Sequence, residues 1–266
     1  MKQLHFIAGL PRSGSTLLTA ILNQNPRFTA GMADPLIGII QDIYSQMSND
    51  TGIFTDEQIL EFVRDVIDVF YKNGNDVCFS NHRGWTAKTA LAKKLYPKSK
   101  MILCVREVPW ILDSFEKLNA KNPMVQKPLY GNMLLSNVYD RCRFLMDETK
   151  FVGGPLNDLA QALYSDDTDM ICVVDYNALA KSPLTTMKKV YEFLDEPWFE
   201  HDFDNAAVSY DEYDARAKII GLHTTRKSVD FQERNSILPL NIWNAYNSSS
   251  FWKHDFNIKK RVVWIE

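Results

Sequence analysis

Residues 4–22 run from a short apolar stretch through a tight turn into a helical pattern, and that order dictates the kind of fold open to the whole chain. Leu4 to Ala8, interrupted only by His5, reads as a buried strand. A turn rich in Gly, Pro and Ser follows, and then Leu17, Leu18, Ile21 and Leu22 recur on one helical face. A strand that turns this sharply into a helix aims backbone N–H groups and the positive end of the helix dipole at one spot. The expected product is an anion site.

The same grammar recurs downstream. Apolar runs at 76–80, 100–105 and 170–174 read as further strands. Helical patterns are expected over 36–47, 56–71, 86–96, from about 108 to 118, 129–150, onward to about 164, and 183–194. Short apolar strands alternating with longer helices specify a parallel sheet with crossover helices, hence an α/β fold of three layers. In such sheets ligands bind beyond the carboxyl ends of the strands. Residues 29–35 read as a loop, and beyond Pro197 the pattern loosens into aromatics, Asp and Asn. With no repeat, low-complexity tract or linker, residues 1–266 are expected to form a single domain, its core at about 1–200 and a less regular closing segment at about 200–266.

Composition narrows the function classes. Apolar residues at 45% suffice for a real core, and a net charge of −3 argues against nucleic acid or an anionic membrane as partner. Cys78, Cys104, Cys142 and Cys172 show no C-x-x-C pair or metal-ligand spacing, and three of them sit inside apolar runs. The apolar residues ahead of Gly9 are too few for a secretory segment, and no run reaches membrane-spanning length. A cytoplasmic protein is the expectation.

Gly9 and Gly14 close a G-x-x-x-x-G frame, the spacing of nucleotide phosphate loops, but Ser15 stands where an NTPase carries Lys. The cation comes earlier, at Arg12. Gly9-Leu10-Pro11-Arg12-Ser13-Gly14-Ser15-Thr16 resembles the loop of the sulfotransferases that use 3′-phosphoadenylyl sulfate (PAPS). A second stretch carries the likeness further: the 100–105 strand ends in Arg106-Glu107-Val108-Pro109, with Ser114 following on the helix. The resemblance implies a P-loop-like domain with a central, mostly parallel sheet flanked by helices, PAPS as co-substrate, 3′-phosphoadenosine 5′-phosphate (PAP) as product, and no metal. It assigns the 5′-phosphosulfate to Pro11, Arg12, Ser13, Gly14, Ser15 and Thr16, and the 3′-phosphate to Arg106 and Ser114. Tyr176, after the 170–174 strand, falls where the family keeps a Tyr close to the nucleotide. Arg226-Lys227 falls where members close a basic loop, although Ser228 replaces the Gly of that pattern.

For catalysis, Arg12 suits the leaving phosphate as a fixed cation, since its pKa stays above about 12. His82, just past the 76–80 strand, resembles the His of the cytosolic enzymes and is the first candidate for the base that takes the acceptor proton. Asp34 is the rival, one position out of register with the carboxylate of the tyrosylprotein branch. Arg83 and Trp85 are further candidates to line the pocket. Two other readings stand beside this one. In a phosphate-loop kinase, Asp175 would hold a Mg²⁺-water; a silent nucleotide binder would leave His82 and Asp34 idle. The acceptor (carbohydrate, small alcohol or phenol, lipid or peptide) stays open, with Phe199, Phe203, Tyr210 and Tyr213 as weak pointers to ring contacts, and so does the oligomeric state.

Overall fold

A computed structural model describes residues 2–31, 34–49, 53–122, 127–131, 133–207, 214–215, 219 and 221–266. Six strands form one sheet: β1 (Gln3–Gly9), β2 (Phe28–Ala30), β3 (Val77–Asn81), β4 (Met101–Val105), β5 (Ile171–Asp175) and β6 (Val263–Ile265). Their order is β2-β3-β1-β4-β5-β6, and every neighbouring pair is parallel. The expected α/β class is the one observed.

Alternation along the strands splits the core into two layers. Phe6, Cys78, Leu103 and Val173 face one side, where α2 (Leu36–Asn49), α3 (Asp56–Phe70), α5 (Val108–Lys121), α7 (Val138–Met146) and α8 (Gly153–Tyr164) pack. Ile7, Phe79, Ile102, Cys104, Cys172 and Val174 face the other, against α1 (Ser15–Leu22), α9 (Tyr176–Lys181) and α10 (Pro183–Leu194). Strands covered on both faces need continuous apolar sequence, which is why β1, β3, β4 and β5 are readable as runs. Because β1 lies between β3 and β4, the path of the chain reverses around β1, and the crevice of such a sheet opens at that reversal.

Four expectations change. Residues 28–30 are a short strand on the sheet edge rather than loop, and their polar flanks hide it. The 86–96 helix begins as a 3₁₀ turn (Arg83–Lys88) before α4 (Thr89–Leu95). The 129–150 helix is two pieces, α6 (Lys127–Tyr130) and α7: Gly131 takes φ +66°, and Asn137 starts α7 afresh by accepting the Asp140 amide at 2.9 Å. The tail is more regular than its pattern suggests, with α11 (Leu240–Asn247), α12 (Phe256–Lys259) and β6. Asp113, fully buried on α5, holds this tail in place. It accepts from the Ile237 amide (2.8 Å), Ser236 Oγ (3.0 Å) and Lys117 Nζ (2.7 Å).

Candidate functional site

The carboxyl ends of β1, β3, β4 and β5 open on a cavity of about 580 Å³. At its floor is the turn from β1 to α1. Gly9 has φ +101°, and a Cβ there would lie 2.3 Å from the Cys104 carbonyl oxygen, so only glycine lets β1 and β4 close up at this point. Gly14 has φ +94°, and its missing Cβ makes room for the Tyr176 ring, which would otherwise be 2.8 Å away. Arg12 takes φ +57° between them, a left-handed conformation that costs a non-glycine residue about 1–2 kcal/mol. α1 starts at Gly14 with no side-chain cap and no acidic residue in its first turn. Its leading N–H groups therefore lack intrahelical partners, and negative charge is welcome there.

Pro11, Arg12, Gly14, Ser15 and Thr16 line the cavity. Ser13 turns away. Its hydroxyl is directed at the carbonyls of Leu10 and Cys104 (2.9 Å to the latter), which leaves only its main chain for a ligand.

Two arginines meet over the loop. Arg12 donates from Nε to Ser114 Oγ (3.0 Å) and from its guanidinium to the Leu222 carbonyl. Burial lowers its pKa, and Asp214 and Tyr176 act against that shift. Arg106, only 6% exposed at the end of β4, stacks its guanidinium 4.3 Å from the centre of the Tyr176 ring. It reaches the Arg12 carbonyl at 3.4 Å, while its buried Nε–H has no hydrogen-bond partner among the described residues. An unpartnered, buried, charged donor is costly, and an anion in the cavity would remove that cost. The expected pair Arg106 and Ser114 is thus brought beside the loop, with Ser114 also bonded to Arg12.

Arg226 lines the cavity, pairing loosely with Asp230 at 3.8 Å, but Lys227 does not line it; its side chain is exposed. Arg234 also lines it and no local pattern announced it. Of the pocket residues weighed from sequence, Arg83 lines the cavity with its guanidinium 4.8 Å from the Phe151 ring centre. Trp85 is instead fully buried against Phe6 and donates to Ser80 Oγ at 2.7 Å. Phe199 and Phe203 pack back on the core, whereas Tyr210 and Tyr213 lie outside the described residues.

The two candidate bases are placed very differently. His82 lines the cavity, and its Nδ1 accepts the Gly84 amide at 3.1 Å. A neutral ring that accepts at Nδ1 carries its proton on Nε2. Burial and then Arg83 lower the His82 pKa, with Asp34 opposing them, so the neutral form is favoured. Asp34 is not among the residues lining the cavity. It is 8% exposed and accepts from the Leu36 amide (3.0 Å), Tyr71 Oη (3.1 Å) and Ser80 Oγ (2.6 Å). That is a helix cap joined to a buried network. The signal was local: Asp34-Pro35-Leu36 ahead of an apolar helical pattern is the start of a helix. Asp175 likewise caps α9, accepting the Asn177 amide at 2.7 Å, and it does not line the cavity, which removes the carboxylate that the kinase reading needs. Among the described residues no group of three or more His, Cys, Asp or Glu is placed to hold a metal ion.

Sequence reasoning missed a third polar arrangement. Asp214, 1% exposed, accepts from His223 twice, from its Nδ1 at 2.7 Å and from its main-chain amide at 2.9 Å, and His223 lines the cavity.

Comparison with known proteins agrees with this geometry. Protein-tyrosine sulfotransferase A of Caenorhabditis elegans is 22% identical, matching 89% of this chain and 58% of its own length. Protein-tyrosine sulfotransferase 1 of Danio rerio is 24% identical, matching 90% of this chain and 63% of its own length. The chain therefore spans about three fifths of these relatives. The solved sulfotransferase domain from the curacin biosynthetic pathway superposes with a TM-score of 0.55 at 15% identity, covering 96% of this chain and 91% of that one, which shows a shared fold. Residues 5–200 match the model of the sulfotransferase family, so that the loop, Arg106 and Tyr176 all fall inside the matched region and the chain belongs to that family.

Proposed function

We propose that this chain transfers a sulfuryl group from PAPS to a hydroxyl or amine acceptor by in-line displacement, releasing PAP. One observation carries the reading: Arg106, buried with an unpartnered Nε–H, is stacked on Tyr176 directly over a glycine-framed anion loop that lacks the NTPase lysine. Two phosphates on one nucleotide call for two such anion sites.

In this reading the first-turn amides of α1, with the Ser15 and Thr16 hydroxyls, bind the 5′-phosphosulfate. Arg12 stabilises the charge that grows on the bridging oxygen as the S–O bond breaks. Being an arginine, it does so without giving up a proton. Ser114 orients Arg12 through its oxygen and keeps its own O–H for an anion, while Arg106 meets the 3′-phosphate. The purine lies against Tyr176, and Arg226 and Arg234 close over it. The arginines supply the positive charge that Mg²⁺ supplies in kinases, so turnover needs no metal. Lys227, exposed and outside the cavity lining, takes no part in holding the nucleotide.

The relatives are named for protein tyrosine, so a tyrosine-bearing peptide or simple phenol is the first acceptor class to test. A single domain over residues 1–266 and a cytoplasmic setting belong to the same reading, the second supported by four buried cysteines that are all unpaired. Incubation with PAPS and a panel of phenol, tyrosine peptide, primary alcohol and sugar, in EDTA, tests the activity by PAP release. Acceptor-dependent PAP release in EDTA is expected. ATP cleavage that requires Mg²⁺, with PAPS untouched, would overturn it; tight PAP binding with no PAPS consumption would mark a silent binder.

A further inference from the structure

The two ends of the cavity differ in chemistry. β1 leads into the anion loop, and β4 and β5, on one side of it, lead into Arg106 and Tyr176. A nucleotide held by those groups runs from β1 towards β5. The end left over lies beyond β3, on the other side of β1, where His82 and Arg83 follow the strand. Its wall is apolar. Phe115, Leu129 and Phe151 line the cavity from the layer of α5–α8, opposite the layer of α1 and α9 that meets the nucleotide. The contact of Phe151 with the Arg83 guanidinium, at 4.8 Å, joins this wall to the β3 end.

The wall is fixed in advance of any ligand. Buried Glu116 accepts two hydrogen bonds from Arg141, at 2.9 and 2.7 Å, and so fastens α7 to α5. Tyr130, next to Leu129, packs edge-on against Phe144 of α7. The Val152 amide donates to the Leu145 carbonyl at 2.9 Å, which holds Phe151 on the turn between α7 and α8.

Such a wall selects among acceptors. Among the described residues Asp230 is the only carboxylate lining the cavity, and it faces Arg226 at the nucleotide end. An ammonium group beyond β3 would thus lack a counter-charge. Sugar hydroxyls against the three apolar side chains would lose water and gain no partner. The side-chain bases described at this end are imidazoles, those of His82 and His223. A phenol, with a pKa near about 10, yields its proton to groups of that strength far more readily than an aliphatic hydroxyl, which is about as weak an acid as water at about 15.7.

We propose that the acceptor is an uncharged phenol whose ring lies against Phe151, and that Phe151 is a specificity-determining residue. The inference rests on the sulfotransferase reading and narrows its acceptor. The phenol oxygen bonds to sulfur while the bond from sulfur to the bridging oxygen breaks. The electron pair of the broken bond stays on the 5′-phosphate, and the phenol proton leaves to solvent. PAPS and a phenol thereby give PAP, an aryl sulfate and one proton.

PAP release from PAPS is followed with 2-naphthol, phenol, cyclohexanol, tyramine and glucose. Cyclohexanol keeps the size of phenol without its acidity, and tyramine adds a positive charge to it. The expected kcat/KM is highest for 2-naphthol, then phenol, with the other three at least about 100-fold below phenol. Phe151→Ala is expected to lose about 10–100-fold with 2-naphthol, mostly in KM, and Phe151→Leu about 3–10-fold, both with PAP affinity within about threefold of wild type. Cyclohexanol, tyramine or glucose used as well as phenol overturns the proposal. So does Phe151→Ala that binds PAP and keeps wild-type kcat/KM for 2-naphthol; where Phe151→Ala does not fold, an unchanged Phe151→Leu overturns it. A wild type that binds PAP but sulfates neither phenol sinks this proposal alone, whereas failure to bind PAP strikes the sulfotransferase reading itself.

Discussion

Replacing Asp34 by Asn separates a structural carboxylate from a catalytic one. The Asn Oδ1 can still accept the Leu36 amide, so the cap on α2 survives. At the other oxygen an NH₂ group would face two hydroxyls, Tyr71 Oη and Ser80 Oγ. Tyr71 has a second acceptor in the Phe79 carbonyl at 3.3 Å. Ser80 has no other acceptor among the described residues: it is fully buried, its oxygen already takes the Trp85 indole N–H, and its proton goes to Asp34 at 2.6 Å. The substitution therefore removes two hydrogen bonds to a carboxylate oxygen, of which Tyr71 can replace its own at the Phe79 carbonyl, and leaves the buried Ser80 O–H unpaired, a loss of about 1.5–3 kcal/mol. For a chain of this size that corresponds to a drop of about 3–12 °C in Tm. Scanning calorimetry reads the drop, and titration with PAP is expected to give a Kd within about threefold of wild type, because Asp34 does not line the cavity. A wild-type Tm combined with a hundredfold or greater loss of turnover would refute the reasoning and make Asp34 the base.

Gly14→Ala forces a β-carbon to 2.8 Å from the Tyr176 ring at φ +94°, so the loop, the ring and Arg106 should shift together. PAP affinity is expected to fall about 5–30-fold by calorimetry, the equivalent of the 1–2 kcal/mol that left-handed backbone costs an L-residue; unchanged affinity would mean the loop does not touch the nucleotide. Acid should destabilise the fold through two buried histidines. Burial, with help from Lys100, pulls His5 to about 4, and burial pulls His201 to about 4 against Glu200. Between pH 4 and the ordinary value of 6.5 the unfolded chain binds more protons than the native one, so stability is full above 6.5 and declines as pH falls towards 4. His5 alone accounts for a loss on the order of 3 kcal/mol over that window. Urea midpoints at pH 4.5 and pH 7 should differ accordingly, and less so in His5→Asn, which can still accept the Lys100 amide; equal midpoints in the wild type would contradict the shift.

What the sequence disclosed, it disclosed locally. The turn after β1, the apolar runs of β1, β3, β4 and β5, and Arg106 at a strand end are patterns within one element, and the parallel sheet follows from their alternation. β2 and β6 have three residues each, too few for a period to show, and their place is set by pairing with β3 and β5. The break between α6 and α7 was visible in Gly131 and in the Asn137 cap, but apolar spacing across the gap masked it. At the site, Arg12, Arg106 and Tyr176 belong to three separate elements whose meeting is a matter of topology, and a resemblance was needed to group them. The bond from Asp214 to His223 follows no spacing rule, because the closing segment is held from outside by Asp113 and Arg12. His82 and Asp34 were singled out by their place and by resemblance, and their roles diverge in the hydrogen bonds they make, to the Gly84 amide for His82 and to Ser80 for Asp34.

The central claim is that the cavity holds a nucleotide with two separate phosphate groups, one on the loop and one on Arg106. Calorimetric titration with PAP, 5′-AMP and ATP, with and without Mg²⁺, on wild type and Arg106→Ala tests it most directly. The expected result is tight PAP binding that ignores Mg²⁺, weaker binding of 5′-AMP, and collapse of the difference between them in Arg106→Ala. Preference for ATP with Mg²⁺, indifferent to Arg106, would contradict the account.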